Sequence, residues 1–166
     1  MFLKNKEKTI RLIQAAQNRW ANYIQQIGEA KGNPDEYTRL TKKMLAELYG
    51  FEHSELDPPI LFKPTLAIKK PVRTTYNETL SYFIGGEVEE DTGFALTPWE
   101  KVEFHNDMHI TVVDSHCVLA MGRCTFYNSE QKPQRTTADY TFGYRLVEGK
   151  LVIFLHHSSR MEEPSI

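Results

Sequence analysis

The amino-acid sequence predicts an α+β domain with helices first and a curved antiparallel sheet last. Two observations carry that prediction. Through the first third, apolar residues recur at three- and four-residue steps, the signature of a helix with one buried stripe. Through the last third, strand-like runs follow one another across joints too short for a crossover helix, so neighbouring strands run antiparallel. A chain of 166 residues without linker, repeat or low-complexity segment suits one domain spanning 1–166. At this length a chain buries roughly 70% of its unfolded surface, enough for a core without staples.

The elements follow in order. In TIRLIQAAQNRWANYIQQIGEA, residues Ile10, Ile13, Ala16, Trp20, Ile24 and Ile27 form one stripe at helical period. KGNP ends this helix through Gly32 and Pro34. Pro34, followed by Asp35 and Glu36, opens a second helix with Asn33 as its N-cap. That helix carries Tyr37, Leu40, Met44, Leu45 and Leu48, and Gly50 fits its C-cap. ILFKPTLAIKKP holds a proline inside a strand-like run, which predicts an edge strand, a bulge or a lining loop, because proline lacks the N–H a central ladder needs. TTYNETLSYFIGG reads as a short helix capped by Thr74 or Thr75, with Leu80 and Phe83 on one face and Gly85–Gly86 at its end. EVEEDTG reads as a solvated acidic loop, with Asp91 available to wall a pocket.

Four or five strand-like runs then occupy VEFHN, HITVVDS, CVLAMGRCTFYN, TTADYTFGYRLVE and KLVIFLHHSS. In TADYTFGYRL, Tyr140, Phe142, Tyr144 and Leu146 alternate with Thr141, Gly143 and Arg145, giving one apolar and one more polar face. The long first helix is expected across the concave face of the sheet, leaving a pocket at the open end.

Composition excludes several functions. Hydrophobic residues at 40% and charged residues at 25% are ordinary for a soluble globular protein. A net charge of -2 is no footprint for nucleic acid or an anionic membrane. No stretch approaches the ~20 apolar residues of a membrane span. The start, MFLKNKEKTIRLIQ, lacks the apolar core of a signal peptide. The two cysteines, Cys117 and Cys124, are seven apart without CxxC spacing, which points to a reducing compartment and a cytoplasmic protein.

The chemistry-bearing residues sit at the end of the chain. In LHHSS, side chains alternate along a strand, so His156 shares a face with Ser158 and His157 with Ser159. One pair points into the pocket and the residues do not say which. A polar strand end reaching solvent is the plain alternative. Thr65 in LFKPT sits behind a stiff proline and offers a hydroxyl that donates and accepts. Lys63 beside it reads as a solvated neighbour. Tyr82 in SYFIGG offers a ring to the core and a hydroxyl to a pocket. His105, His109 and His116 invite a zinc reading, but HNDMH lacks the glutamate of HExxH and falls on strand and turn. There is no GxSxG elbow or P-loop, and the cysteines lie in an apolar strand where thiols are packing.

The order LFKPT, YFIGG, DTGFALTPW, AMG, TFGY, LHHSS resembles the iota class of carbonic anhydrases, within the wider group similar to the association domain of calcium/calmodulin-dependent protein kinase II. The likeness runs from about residue 10 to about residue 160, and Trp20 also fits it. Cys124 stands where an aromatic residue is expected, and RMEEP follows HHSS where a shorter approach to proline is usual.

The resemblance implies an NTF2-like cone, a homodimer, and reversible hydration of carbon dioxide to bicarbonate. It allows a manganese-dependent or a metal-free enzyme. The residues favour the metal-free form, with no cofactor and with manganese or zinc as the lesser alternative. In that form Thr65, Tyr82 and Ser158 or Ser159 hold bicarbonate, with His156 or His157 on the same face as the proton acceptor near its ordinary pKa of ~6.5. Phe62, Leu66, Phe83 and Phe94 are the expected apolar walls. A non-catalytic oligomerisation or small-ligand-binding module of the same fold is the alternative. An isomerase or hydrolase ranks last, for want of an inward carboxylate.

Overall fold

A computed structural model describes residues 5–52, 57–128 and 134–161. Helix α1 spans Lys6–Glu29, and the Asn5 side chain accepts from Lys8 N at 3.0 Å as its N-cap. Ile13, Ala16, Trp20, Ile24 and Ile27 are buried along one stripe, as the period requires, while Ile10 is half-buried. Helix α2, Pro34–Leu48, starts on Asn33, whose side chain accepts from Glu36 N, with Pro34 in its first turn. Its C-cap is Tyr49 in extended backbone, rather than Gly50. Gly50 opens a short 3-10 turn and is needed there for space: a Cβ would stand 3.3 Å from the Ile153 carbonyl.

Strand β1, Leu61–Lys63, is a short edge that stops before Pro64. Helix α3, Tyr76–Ile84, begins with a capping box. The Thr75 side chain accepts from Glu78 N, and the Glu78 carboxylate reaches back to the N-cap amide. Gly85, at φ 80°, ends it in a conformation that other residues rarely adopt. The remaining strands are β2 (Lys101–Val112), β3 (Cys117–Asn128), β4 (Gln134–Val147) and β5 (Lys150–Arg160).

The sheet order is β1-β5-β4-β3-β2. All neighbours are antiparallel except β1, which pairs in parallel with β5, placing Phe62 beside His156. The runs VEFHN and HITVV form one strand, β2, not two; the ND joint is a register shift between His105 and His109. Gly122 on β3 permits this irregularity, since a side chain there would strike the His105 carbonyl and the Tyr140 hydroxyl.

Helix α1 lies against the sheet and against α2. The core joins Trp20, Ile24 and Ile27 of α1 to Met44, Leu45 and Leu48 of α2 and to Phe126, Phe142 and Tyr144 of the sheet. Each such side chain contributes about 1.5–3 kcal/mol of burial. A part-buried amide pair ties α1 to the bulged part of β2: Gln17 Nε2 donates to Asn106 Oδ1 at 2.8 Å, and Asn106 Nδ2 donates to Gln17 Oε1 at 2.7 Å. Among the described residues no helix is long and apolar enough to cross a membrane.

Candidate active site

Between α1, α3, β1 and the inner face of the sheet lies a cavity of about 20 Å³. A single water needs roughly 10–15 Å³, so the guest is a molecule of a few atoms. Trp20, Phe62, Phe83, Phe94, Phe126 and Phe142 supply most of the wall. Leu66, expected among them, is 47% exposed on the far side of its loop. Set into these walls are the polar groups of Thr65, Tyr82, Tyr140, His156 and Ser158.

The strand decides which half of HHSS faces inward. β5 presents His156 and Ser158 to the cavity, both buried. His157 is exposed and Ser159 half-buried on the opposite face, in a shallow surface depression with His109, Arg123 and Asp139. Thr65 and Tyr82 therefore meet Ser158 and His156, and do not meet Ser159 or His157.

Thr65 Oγ1 and Ser158 Oγ are 2.6 Å apart, a direct hydroxyl–hydroxyl hydrogen bond across the β1–β5 edge. Lys63 helps to hold it: its half-buried ammonium donates to the Ser158 carbonyl at 3.1 Å, and burial lowers its pKa. It is thus tied to the β5 backbone rather than a solvated neighbour. Tyr82 is 5% exposed, and its Oη has no hydrogen bond of ordinary geometry. Burial raises its pKa well above the usual phenol range; the nearby Thr65 hydroxyl and Leu66 amide temper that push without offsetting it.

Behind the sheet-side wall runs a second chain of polar groups. Trp20 Nε1 donates to Tyr49 Oη at 3.1 Å, and Tyr49 Oη lies 2.9 Å from His156 Nδ1. The His156 ring lies between Phe62, stacked on it at a centroid distance of 4.6 Å, and Phe142, tilted against it at 4.3 Å. Burial in this aromatic setting drives its pKa down to about 3, with a smaller contribution from His157. The imidazole is neutral at any physiological pH, which overturns the expectation of a histidine base poised near 6.5. Cys124 also touches the cavity, and burial raises its thiol pKa, so it is packing and not a nucleophile.

The rim is charged. Arg73 is fully buried and makes a bidentate pair with Asp91, at 2.7 and 2.9 Å. Its other donors reach Glu90, the Lys70 carbonyl and the Glu78 carbonyl. Glu90 accepts from the backbone amides of Ile68, Lys69 and Lys70, and these lower its pKa to about 2. The acidic segment is therefore a clamp joining the loop after Thr65 to α3, and not simply a solvated loop.

Tyr49 and Arg73 lay outside the sequence-based expectations, and Tyr140, read there only as part of an apolar face, also lines the cavity. Only Arg73 had a visible sign, a lone cation between Pro71 and a helix cap with an acidic run downstream. His105, His109 and His116 are all exposed, and the described residues hold no group of three or more His, Cys, Asp or Glu able to bind a metal ion.

The molecule can now be set beside known proteins. A metal-independent carbonic anhydrase from Nostoc sp. is 36% identical over 152 residues, covering 87% of this chain and 70% of that one. A crystal structure of an iota-carbonic anhydrase from a cyanobacterium, complexed with bicarbonate, superposes with a TM-score of 0.82 at 33% identity, over 92% of each chain. An NTF2-like family protein from Streptomyces avermitilis shares the fold alone, with a TM-score of 0.57 at 14% identity over 96% of this chain and all of that one. A calcium/calmodulin-dependent kinase II association-type domain from Xanthomonas campestris, with a TM-score of 0.50 at 21% identity over 86% and 82% of the chains, does the same. The family model described as metal-independent carbonic anhydrase matches residues 11–160, nearly the whole length, and the chain belongs to that family.

Proposed function

We propose that this chain hydrates carbon dioxide to bicarbonate without a metal, in the aromatic cavity. The observation that carries the reading is the convergence of Thr65, Tyr82 and Ser158 hydroxyls on one small apolar space, with Tyr82 Oη lacking a regular protein partner. Apolar walls suit carbon dioxide, which has no net dipole. The hydroxyls suit water and the oxygens of bicarbonate.

In the reaction a water held by the Thr65–Ser158 pair attacks the carbon. One C=O electron pair moves onto an oxygen, where negative charge grows. Donors already in place receive that charge at no cost of reorganisation, and one such donor is typically worth about a hundredfold in rate. The water's proton leaves along the hydroxyl pair, each hydroxyl accepting one proton and releasing another. Thr65 is the most exposed of the three hydroxyl residues, so the proton exits there to solvent. His156, held down to about 3, does not take it.

A cytoplasmic homodimer completes the reading. The free thiols Cys117 and Cys124 support a reducing compartment, and light scattering tests the dimer. Stopped-flow hydration after exhaustive chelation, with metal content measured on the same sample, tests the reaction. Thr65→Ala should fold normally and lose about a hundredfold in kcat. Full activity in that variant overturns the hydroxyl mechanism, and activity restored only by manganese or zinc overturns the metal-free one. Inactivity under both conditions favours a ligand-binding module.

A further inference from the structure

We infer that Tyr49 is a positioning residue: by donating its hydroxyl proton to His156 Nδ1, it holds His156 as the Nε2–H tautomer, a hydrogen-bond donor in the cavity wall. The inference rests on the carbonic anhydrase reading only for the consequence in turnover, not for the placement of the proton.

The argument is one of donors and acceptors. An indole N–H only donates, so in the Trp20–Tyr49 bond the Tyr49 oxygen accepts. Tyr49 has one proton left to place. Its hydroxyl is buried at 1% exposure, and among the described residues its only other partner is His156 Nδ1. If Nδ1 carried a proton, that proton would have to be donated to Tyr49. The tyrosine would then accept twice, and its own O–H would be stranded in an apolar site, an arrangement folded proteins avoid. Nδ1 is therefore the acceptor and the imidazole proton resides on Nε2. His156 lines the cavity, so its Nε2–H is the proton it has left to offer there. The packing of the ring between Phe62 and Phe142 resists a 180° flip, which would put Cδ2 in place of Nδ1 against the Tyr49 hydroxyl. Burial, which keeps the imidazole neutral, removes the remaining possibility of protons on both nitrogens.

A donor here complements hydroxyls, which rotate and can present either a proton or a lone pair. His156 presents only a proton, and so discriminates in favour of an oxygen gaining negative charge. Tyr49 does not touch the cavity guest. Its contribution acts through the imidazole.

Long-range nitrogen–proton correlation spectra of the full chain with 15N-labelled histidine read the tautomer directly. In the unaltered protein the expected pattern is a pyrrole-type Nε2 and a pyridine-type Nδ1. Tyr49→Phe removes the donor, so the expected results are a shift of His156 toward the other tautomer and a fall in kcat of roughly tenfold. Trp20→Phe keeps the Tyr49–His156 bond, so the tautomer should persist. An Nδ1–H pattern in the unaltered protein overturns the inference, even where Tyr49→Phe fails to fold. A tautomer shift in Tyr49→Phe with unchanged kcat overturns the positioning role. An unaltered protein that is Nε2–H but inactive toward carbon dioxide removes the carbonic anhydrase reading and upholds the assignment of the proton.

Discussion

The floor and the rim of the cavity handle buried polarity in opposite ways. On the floor the polar groups are all neutral: Trp20, Tyr49 and His156 form one hydrogen-bonded chain, Ser158 bonds to Thr65, and the Tyr82 hydroxyl has no regular partner. At the rim, Arg73 is 0% exposed yet charged, surrounded by Asp91, Glu90 and carbonyl oxygens. The difference is one of compensation. Removing an ion from water costs several kcal/mol unless partners satisfy it from several sides. Arg73 has those partners. His156 has one neutral partner, and it stays uncharged. In the proposed reading a neutral floor serves carbon dioxide and bicarbonate, while the charged cluster ties the loop after Thr65 to the segment holding Glu90 and Asp91.

The largest effect is expected where this compensation is broken. Asp91→Ala leaves a buried guanidinium short of its bidentate partner, and should cost about 3–5 kcal/mol in urea unfolding. A loss below about 1 kcal/mol would mean that Glu90 and the carbonyls suffice, and would weaken the contrast between rim and floor.

Next come the two serines of one strand end. Ser158→Ala should lower kcat by about a hundredfold, whereas Ser159→Ala should leave it within about twofold, since only Ser158 reaches Thr65. Equal losses would show that side-chain alternation along β5 does not govern the site.

A third comparison separates the two regions by acid. His156 falls from its ordinary 6.5 to about 3 in the folded chain. The unfolded chain gains that proton first, so stability contributed by the neutral imidazole is full above 6.5 and drains as pH falls toward 3. Glu90 falls from 4.5 to about 2, so its contribution is full above 4.5 and drains as pH falls toward 2. His156→Gln should flatten the upper part of the acid slope in urea midpoints, and Glu90→Gln the lower part. A single slope unaffected by either variant would remove both assignments.

Local features were legible in the chain because they depend on neighbours in sequence. The stripe from Ile13 to Ile27, the Asn33–Pro34 start, the glycine stop at Gly85 and the alternation from Tyr140 to Leu146 all follow from helical or strand period and backbone freedom. Period also divided HHSS into two faces. Where partners are distant, the same reasoning ran out. Tyr49 is an ordinary helix-end aromatic until β5, 107 residues on, brings His156 against it. Leu66 is an apolar residue beside Thr65, and only the path of the clamped loop turns it outward.

By itself, then, the sequence determined most of the elements, their order, and the two possible pairings of histidine with serine, since these rest on propensity and period over a few residues. The tertiary structure alone decided that His156 and Ser158 face inward, that the imidazole is neutral, and that the acidic segment closes on Arg73. Each of those outcomes depends on desolvation and on hydrogen-bond partners contributed by distant parts of the chain, quantities that no local stretch of residues contains.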